Sequence, residues 1–343
     1  MESHVFRLSS AILPPVAAAG MRRIRFFTRL ILRTSVPTST LTDVRKELLA
    51  ALAQPSCPLC QTPSQRQFEV AGYWIRQCQS CQHQFLEIAA AENHVQQLYG
   101  DEYFTGGGAG YTDYRQEDRL LMHRGRQYAR RIARYCQPGS VLDVGAAAGF
   151  TLVAFREAGW TTQGVEPNAG MAEFARQHFN LRVEAMSFEA WQSDSAFDLV
   201  LMLQVLPHFL DPASALRKAA QLVRPGGHLL IETWDRSSWT ARVFGRSWHE
   251  YSPPSVLHWF SREGLVRLAS RAGFEQVATG RPTKWINAAH GKSVLRHHQE
   301  ASIAGRTASA LASLIPDAAA IPYLLDDLFW ALFRRVDAGT QHS

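Results

Sequence analysis

The chain has 343 residues, of which 46% are apolar, 10% aromatic and 19% charged, with a formal net charge of +6. That length holds one α/β domain of ordinary size plus a smaller module, and the apolar content and periodicity are those of a soluble globular protein. No apolar run reaches the roughly eighteen residues needed to span a bilayer as a helix.

The positive charge is a property of the N-terminus. Residues 1–42 carry Arg7, Arg22, Arg23, Arg25, Arg29 and Arg33 against Glu2 alone, so five of the six net charges lie there and the body is nearly neutral. Between Met21 and Arg33, Arg22, Arg25, Arg29 and Arg33 fall on one helical face and Ile24, Phe27 and Ile31 on another. Three readings stay open for this segment: a helix on an anionic membrane surface, an Arg-rich transit segment, and a poorly ordered extension with translation starting at Met21. Residues 1–46 are assigned to this extension.

A ribbon-like module follows over residues 47–95. It contains Cys57-Pro58-Leu59-Cys60 and Cys78-Gln79-Ser80-Cys81, two C-x-x-C knuckles at the spacing of a four-thiolate zinc ribbon. The alternating, aromatic stretch from Arg66 to Arg76 suits a hairpin joining them. Four thiolates complete a tetrahedron and leave no open position, so the expected zinc is structural. Two disulfides or a dithiol redox site fit less well, because neither a secretory signal nor a thioredoxin-like unit is evident. His83 is read as a surface residue. Arg115 to Arg134 reads as a helix whose arginines form a solvated face.

From residue 139 onward, strand and helix periods alternate. Strand 139–144 leads to helix 150–158, strand 162–166 to helix 169–179, and strand 181–184 to a short helix near 188–192. Strand 197–203 leads to helix 212–223, strand 228–233 to a long loop, and helix 262–272 to strand 274–280. Leu328 to Arg334 alternates as an antiparallel closing strand, and residues 289–318 read as a helical insertion. The expected fold is α/β: a doubly wound, Rossmann-like, mostly parallel seven-stranded sheet with an antiparallel last strand, preceded by the zinc ribbon.

The most informative run is Val141-Leu142-Asp143-Val144-Gly145-Ala146-Ala147-Ala148-Gly149-Phe150. An apolar strand passes an acid, enters a glycine turn and opens a helix, which lets backbone approach a nucleotide-like ligand where a Cβ would clash. Glu166 ends the next apolar stretch, about twenty residues on, where a carboxylate can hold both ribose hydroxyls. The spacing is not the G-x-G-x-x-G of dinucleotide sites. An acid at the turn repels a pyrophosphate but suits an ammonium.

These residues resemble the class I S-adenosylmethionine-dependent methyltransferases. The first motif is Asp143, Gly145 and Gly149, with Ala147 where many members carry a third glycine, and the second is Glu166. Phe197 to His208 resembles the fourth-strand motif, and Arg224-Pro225-Gly226-Gly227 leading to Glu232 the fifth-strand turn. Leu98 to Phe104 and Tyr111 to Tyr114 resemble the connection in bacterial members that carry an N-terminal cysteine ribbon. On this resemblance residues 96–343 are the methyltransferase domain. Gly145, Ala146 and Gly149 underlie the methionine portion, and Asp143 orients its ammonium. Glu166 holds the ribose beside Pro167, Ser187 and Phe188 flank adenine, and Gln204 and Val205 sit closest to the methyl group. Tyr114 closes over the cofactor, although packing is an equal reading.

A sulfonium is an activated methyl donor, so rate comes mainly from positioning and exclusion of water, and a base is needed only for a poorly acidic acceptor. His208 leads as that base, with His249, Tyr251 and His258 as alternatives in the aromatic loop Trp248 to Phe260. Two departures stand out: Pro207 replaces an acid that many relatives carry before the histidine, and Val256 stands where many have a histidine. The favoured function is methyl transfer to the oxygen or carbon of a small-molecule or glycan/lipid-precursor acceptor, in the cytoplasm, with membrane association through residues 21–33 left open. The alternatives are an RNA methyltransferase whose ribbon grips nucleic acid, which the near-neutral body disfavours, and a cofactor-binding relative without catalysis.

Overall fold

In a computed structural model of the protein, the described residues are 55–88, 118–283, 285–287, 316 and 319–336. The basic tail, Tyr111, Tyr114 and nearly all of the 289–318 insertion lie outside them, as do the expectations placed there. The described residues all belong to one compact unit.

The central strand is β4 (Ser140–Val144), whose last four residues are buried. Around it run β5 (Thr161–Glu166), β6 (Val183–Ala185), β7 (Phe197–Leu203), β8 (Val223–Trp234), β10 (Phe274–Gly280) and β13 (Leu328–Arg335), while β11 (Trp285–Asn287) and β12 (Ala320–Pro322) pair separately. They form a seven-stranded sheet in the order β10-β13-β8-β7-β4-β5-β6. The β4–β5, β4–β7, β5–β6 and β7–β8 pairs are parallel, while β13 runs antiparallel to both β8 and β10. The fold is therefore the expected Rossmann-like α/β type. The antiparallel strand that ends the sequence does not end the sheet, because it inserts between β8 and β10.

Near-continuous apolar strands require cover on both faces. The cover comes from α1 (Asp118–Ile132), α2 (Phe150–Glu157), α3 (Ala169–Phe179), α4 (Pro212–Leu222) and α6 (Arg262–Arg271), with the short α5 (Trp239–Phe244) beyond β8. One core layer gathers Leu142, Met202, Leu216, Phe260 and Phe333, and another Tyr128, Ile132, Phe155, Leu201 and Leu332. Side-chain caps set the helix starts. Asn168 accepts from the Met171 amide at 2.7 Å, Asp211 from Ser214 at 2.9 Å, and Ser261 from Gly264 at 3.1 Å.

The helix expected near 188–192 is a single turn. The Ser187 carbonyl accepts from the Trp191 amide at 3.0 Å, and the Ser187 hydroxyl accepts from Ala190. Phe188 and Trp191 then drop into the core, and the Ser193-Asp194-Ser195 run does not continue the helix. Likewise β6 begins at Val183, two residues later than expected, because Leu181 packs under the Gly149 turn.

The N-terminal module is an antiparallel meander of β1 (Ser64–Val70), β2 (Tyr73–Cys78) and β3 (Gln84–Leu86). A fourth strand, β9 (His258–Trp259), comes from the aromatic loop and pairs Trp259 with Gln84 and His258 with Phe85. The cysteine module and the aromatic loop thus share one sheet. Among the described residues, no helix is long and apolar enough to cross a membrane.

Candidate functional site

In open α/β sheets, ligands bind at the carboxyl ends of the strands where the strand order reverses. Here that point lies between β4 and β7, so the turn after β4 and the turn after β7 face one another. Gly145 has φ +73°, and a Cβ on it would lie 2.4 Å from Val205 Cγ1. Those two turns are in contact, and only the missing side chain permits it. Gly149, at φ +81°, answers a different need: a Cβ there would meet Leu181 Cδ1 at 2.5 Å and Ala175 Cβ at 3.1 Å. Its smallness serves packing against α3. Ala147 also holds a left-handed backbone, φ +46°, which explains why glycine suits this position.

The Gly145 and Ala146 amides donate to the Val165 carbonyl at 2.8 and 3.1 Å, fastening the turn to β5. Glu166 completes the fastening. Its Oε2 accepts from the Ala147 amide and its Oε1 from the Asn168 amide, both at 2.8 Å. The carboxylate is buried, and burial raises it to about 7 although both amides pull it down. Asp143 is buried as well, pushed up to about 8 by burial and then by the Glu166 charge. Two carboxyl groups so placed favour a ligand that donates hydrogen bonds or brings positive charge. Pro167 follows Glu166 and is half-buried.

Phe188 is a core residue, edge-on to Phe209 at 5.9 Å between ring centroids, and Ser187 caps the turn described above. Met186, just before them, is 40% exposed at the end of β6 and was not singled out from sequence.

Beyond β7, Gln204 sits at φ +60°. Its amide donates to the Glu232 carbonyl at 2.8 Å, and its side-chain Nε2 donates to Glu232 Oε1 at 2.7 Å. Glu232 ends the apolar run of β8 fully buried, paired with Arg124 and accepting from the Tyr128 hydroxyl. Sequence reasoning missed this group. The signal was present, since Glu232 follows the apolar run of its strand as Glu166 does in β5. Arg124 and Tyr128 correct the reading of α1 as a solvated face: the Arg124 side chain is 14% exposed and Tyr128 is buried.

His208 lies in a 3-10 turn, Leu206–His208, directly after β7. Its Nδ1 donates to the Ser255 carbonyl at 2.6 Å, which places the neutral ring's lone pair on Nε2. The Leu257 amide donates to the Pro207 carbonyl at 2.9 Å, so the aromatic loop is tied to the segment that carries His208.

Two of the other proton-transfer candidates occupy the joint between the modules, while the third, His249, has its Nε2 3.4 Å from Glu250 Oε1. Tyr251 donates to Gln84 Oε1 at 2.5 Å among Phe68, Trp248 and Trp259, and burial pushes its hydroxyl up to about 12. His258 Nδ1 lies 3.1 Å from His83 Nε2, and its ring bonds the backbone at Phe209 and Leu210. Burial lowers it to about 4, so it is a neutral structural imidazole near neutral pH. His83 is correspondingly buried at 4% exposure and not on the surface as expected. The missed element was β9, whose partner strand lies some 175 positions away.

The four cysteines come together with their Sγ atoms within 4.8 Å of one another. Cys57–Cys81, Cys60–Cys78 and Cys60–Cys81 are 3.6, 3.4 and 3.5 Å apart, and all four thiols are free of disulfides. Both knuckles use the same turn: Gln61 and Gln82, each just after the second cysteine, have φ +60°. Burial opposes ionisation of Cys78, but the Thr62 hydroxyl, the Cys81 and Ser80 amides and Cys60 outweigh it and bring the thiol to about 6.

Residues 120–279 match the family model described as a methyltransferase domain. The chain is 29% identical over 154 residues to a ubiquinone biosynthesis O-methyltransferase of Alkalilimnicola ehrlichii, covering 39% of this chain and 62% of the relative. It is 32% identical over 127 residues to the protein of the same description from Cronobacter sakazakii, covering 34% and 52%. The chain thus spans about half to three-fifths of the length of these curated relatives. Among solved structures it is similar to a Burkholderia thailandensis 1,6-didemethyltoxoflavin-N1-methyltransferase, with a TM-score of 0.46 at 17% identity, over 80% of this chain and 100% of that one. The matched segment, 120–279, holds the Gly145 turn, Glu166, Gln204 and Glu232.

Proposed function

We propose that the chain transfers a methyl group from S-adenosylmethionine to a small-molecule or glycan/lipid-precursor acceptor, and that the four-cysteine cluster holds a structural zinc. The observation that carries the first half is the pairing of the Gly145 turn with buried Glu166. The turn meets Val205 at the strand ends, beside a carboxylate with two amides on it. A carboxylate offers about four acceptor sites, so two donors leave capacity for ribose hydroxyls. The bound cofactor supplies an activated methyl group on a sulfonium.

The chain's own residues then bind and orient. Glu166 anchors the ribose, Asp143 faces the ammonium, the Gly145 turn supports the methionine portion, and Gln204 with Val205 flank the methyl group. Asp143 and Glu166 ionise more readily beside a cationic, hydroxyl-bearing ligand, because both lose the cost of an unpaired buried charge. Where the acceptor is a poorly acidic hydroxyl or carbon acid, His208 Nε2 takes the proton, with Nδ1 held by the Ser255 carbonyl. The similarity to ubiquinone biosynthesis O-methyltransferases favours an oxygen acceptor on a small molecule.

For the metal, a tetrahedral zinc with Zn–S bonds of about 2.3 Å separates its sulfurs by about 3.8 Å. The three recorded spacings, 3.4 to 3.6 Å, fit a site that expands slightly on binding. Four thiolates leave no open position, so zinc would act on folding and not on the methyl group.

Glu166→Ala tests the assignment. It should weaken S-adenosylhomocysteine binding while leaving the zinc content unchanged, and equal affinity in variant and parent would remove the ribose site from Glu166.

A further inference from the structure

Glu232 carries an unusual load for a group at the end of an apolar strand. It is fully buried, yet one carboxylate meets Arg124 and Tyr128 of α1 and the Gln204 side chain beyond β7. Its own carbonyl takes the Gln204 amide. Gln204 is therefore bonded twice to the same residue, once through the backbone and once through the side chain.

The second bond matters because Gln204 is left-handed at φ +60°. A residue with a Cβ resists that backbone unless its surroundings hold it. The turn at 204 sends Val205 back against Gly145. A release at 204 would swing Val205 away from the Gly145 turn and part the two walls of the strand-end crevice. The same carboxylate pulls in the first helix, since Arg124 and Tyr128 have their charged and hydroxyl ends on it. Gly125, between them, packs so closely on α2 that a Cβ would lie 2.8 Å from Ala154 Cβ. Glu232 thus joins α1, β7 and β8 at one buried point, next to the helix that follows the Gly145 turn.

We infer that Glu232 is a positioning residue: through Gln204 and Arg124 it sets the separation of the Gly145 and Val205 walls. The relevance of those walls to a cofactor rests on the proposed function, whereas the brace itself does not. No proton or group transfer is assigned to Glu232.

The test is hydrogen–deuterium exchange on the full-length protein without ligand, for the parent, Glu232→Gln, Gln204→Ala, Gln204→Gly and the Glu232→Gln/Gln204→Gly double variant. Glu232→Gln keeps the shape and removes the charge. Segments 145–149 and 204–208 should exchange about tenfold faster, with the cysteine knuckles unchanged. Gln204→Ala and Gln204→Gly both delete the amide, but only glycine accepts the left-handed turn. Alanine should raise exchange at 145–149, while glycine should hold it near the parent. In the glycine background Glu232→Gln should have a smaller effect than in the parent, giving a non-additive cycle.

Uniformly faster exchange across the sheet in Glu232→Gln, or equal behaviour of the alanine and glycine variants, would reduce Glu232 to an ordinary buried ion-pair partner. If Glu232→Gln does not fold, the Gln204 pair alone decides. Titration of the parent with S-adenosylhomocysteine separates the two ideas. Failure to bind with the exchange pattern intact would sink the cofactor reading and leave the brace standing.

Discussion

Gly145→Ala probes the crevice directly. The new Cβ would sit 2.4 Å from Val205 Cγ1 on a backbone with φ +73°. The left-handed backbone costs an L-residue about 1–2 kcal/mol. Forcing a methyl into occupied space adds about 1–3 kcal/mol. Reduced freedom of the unfolded chain offsets about 0.4–1 kcal/mol of this. The net destabilisation is about 1–5 kcal/mol, which for a domain of this size lowers Tm by roughly 2–20 °C. On the proposed function Val205 lies beside the cofactor, so its displacement should also weaken S-adenosylhomocysteine binding. Adding Val205→Ala removes the overlapping methyl, and the double variant should recover the steric share while keeping the backbone share. Differential scanning calorimetry and isothermal titration read the two effects separately. A Gly145→Ala protein with parental Tm and parental affinity would refute the contact between the turns, and an absence of recovery in the double variant would refute its assignment to Val205.

Three further outcomes follow from the same geometry. Asp143 and Glu166 stand at about 8 and about 7 in the folded protein, above ordinary values of 3.8 and 4.5. The unliganded folded state therefore holds protons that the unfolded chain has released, so their contribution is full below about pH 4 and is lost as pH rises towards 8. Chemical unfolding across that range should show this loss flattened in Asp143→Asn, whereas S-adenosylhomocysteine affinity should rise with pH through about 7 as Glu166 ionises; a flat profile in the parent would contradict the buried pair. Cys60→Ser should lose the metal by elemental analysis and lower Tm, and a variant that keeps one zinc per chain would remove Cys60 from the ligand set. Gln82→Gly should be neutral or stabilise the fold slightly, by up to about 1 kcal/mol, because the knuckle turn at φ +60° suits glycine. A marked loss of stability would mean that the Gln82 side chain holds the knuckle.

The sequence disclosed most where backbone and spacing decide the outcome. Asp143, Gly145 and Glu166 lie at strand ends and a left-handed turn, all within a short stretch of chain, and the paired knuckles declare themselves by their cysteines. Much of the rest depends on contacts between distant segments. His83 and His258 look like ordinary surface or loop histidines until β9 closes the N-terminal sheet. Arg124 belongs to an arginine-rich helix and reads as solvated until Glu232 arrives from β8. Gly149 lacks a side chain where Leu181 and Ala175 close in, a contact that its place in the motif does not announce. The turn at 188–191 has helical periodicity, but Phe188 and Trp191 are claimed by the core after one turn. In each case tertiary packing, which local pattern does not encode, made the choice.

The most direct test of the account is calorimetric titration of the full-length, zinc-assayed protein with S-adenosylhomocysteine, with NAD as control. Micromolar binding of S-adenosylhomocysteine alone, weakened in Glu166→Ala, is the expected result. No binding, or equal binding of NAD, would make the Gly145 turn a packing feature and contradict the proposed methyl transfer.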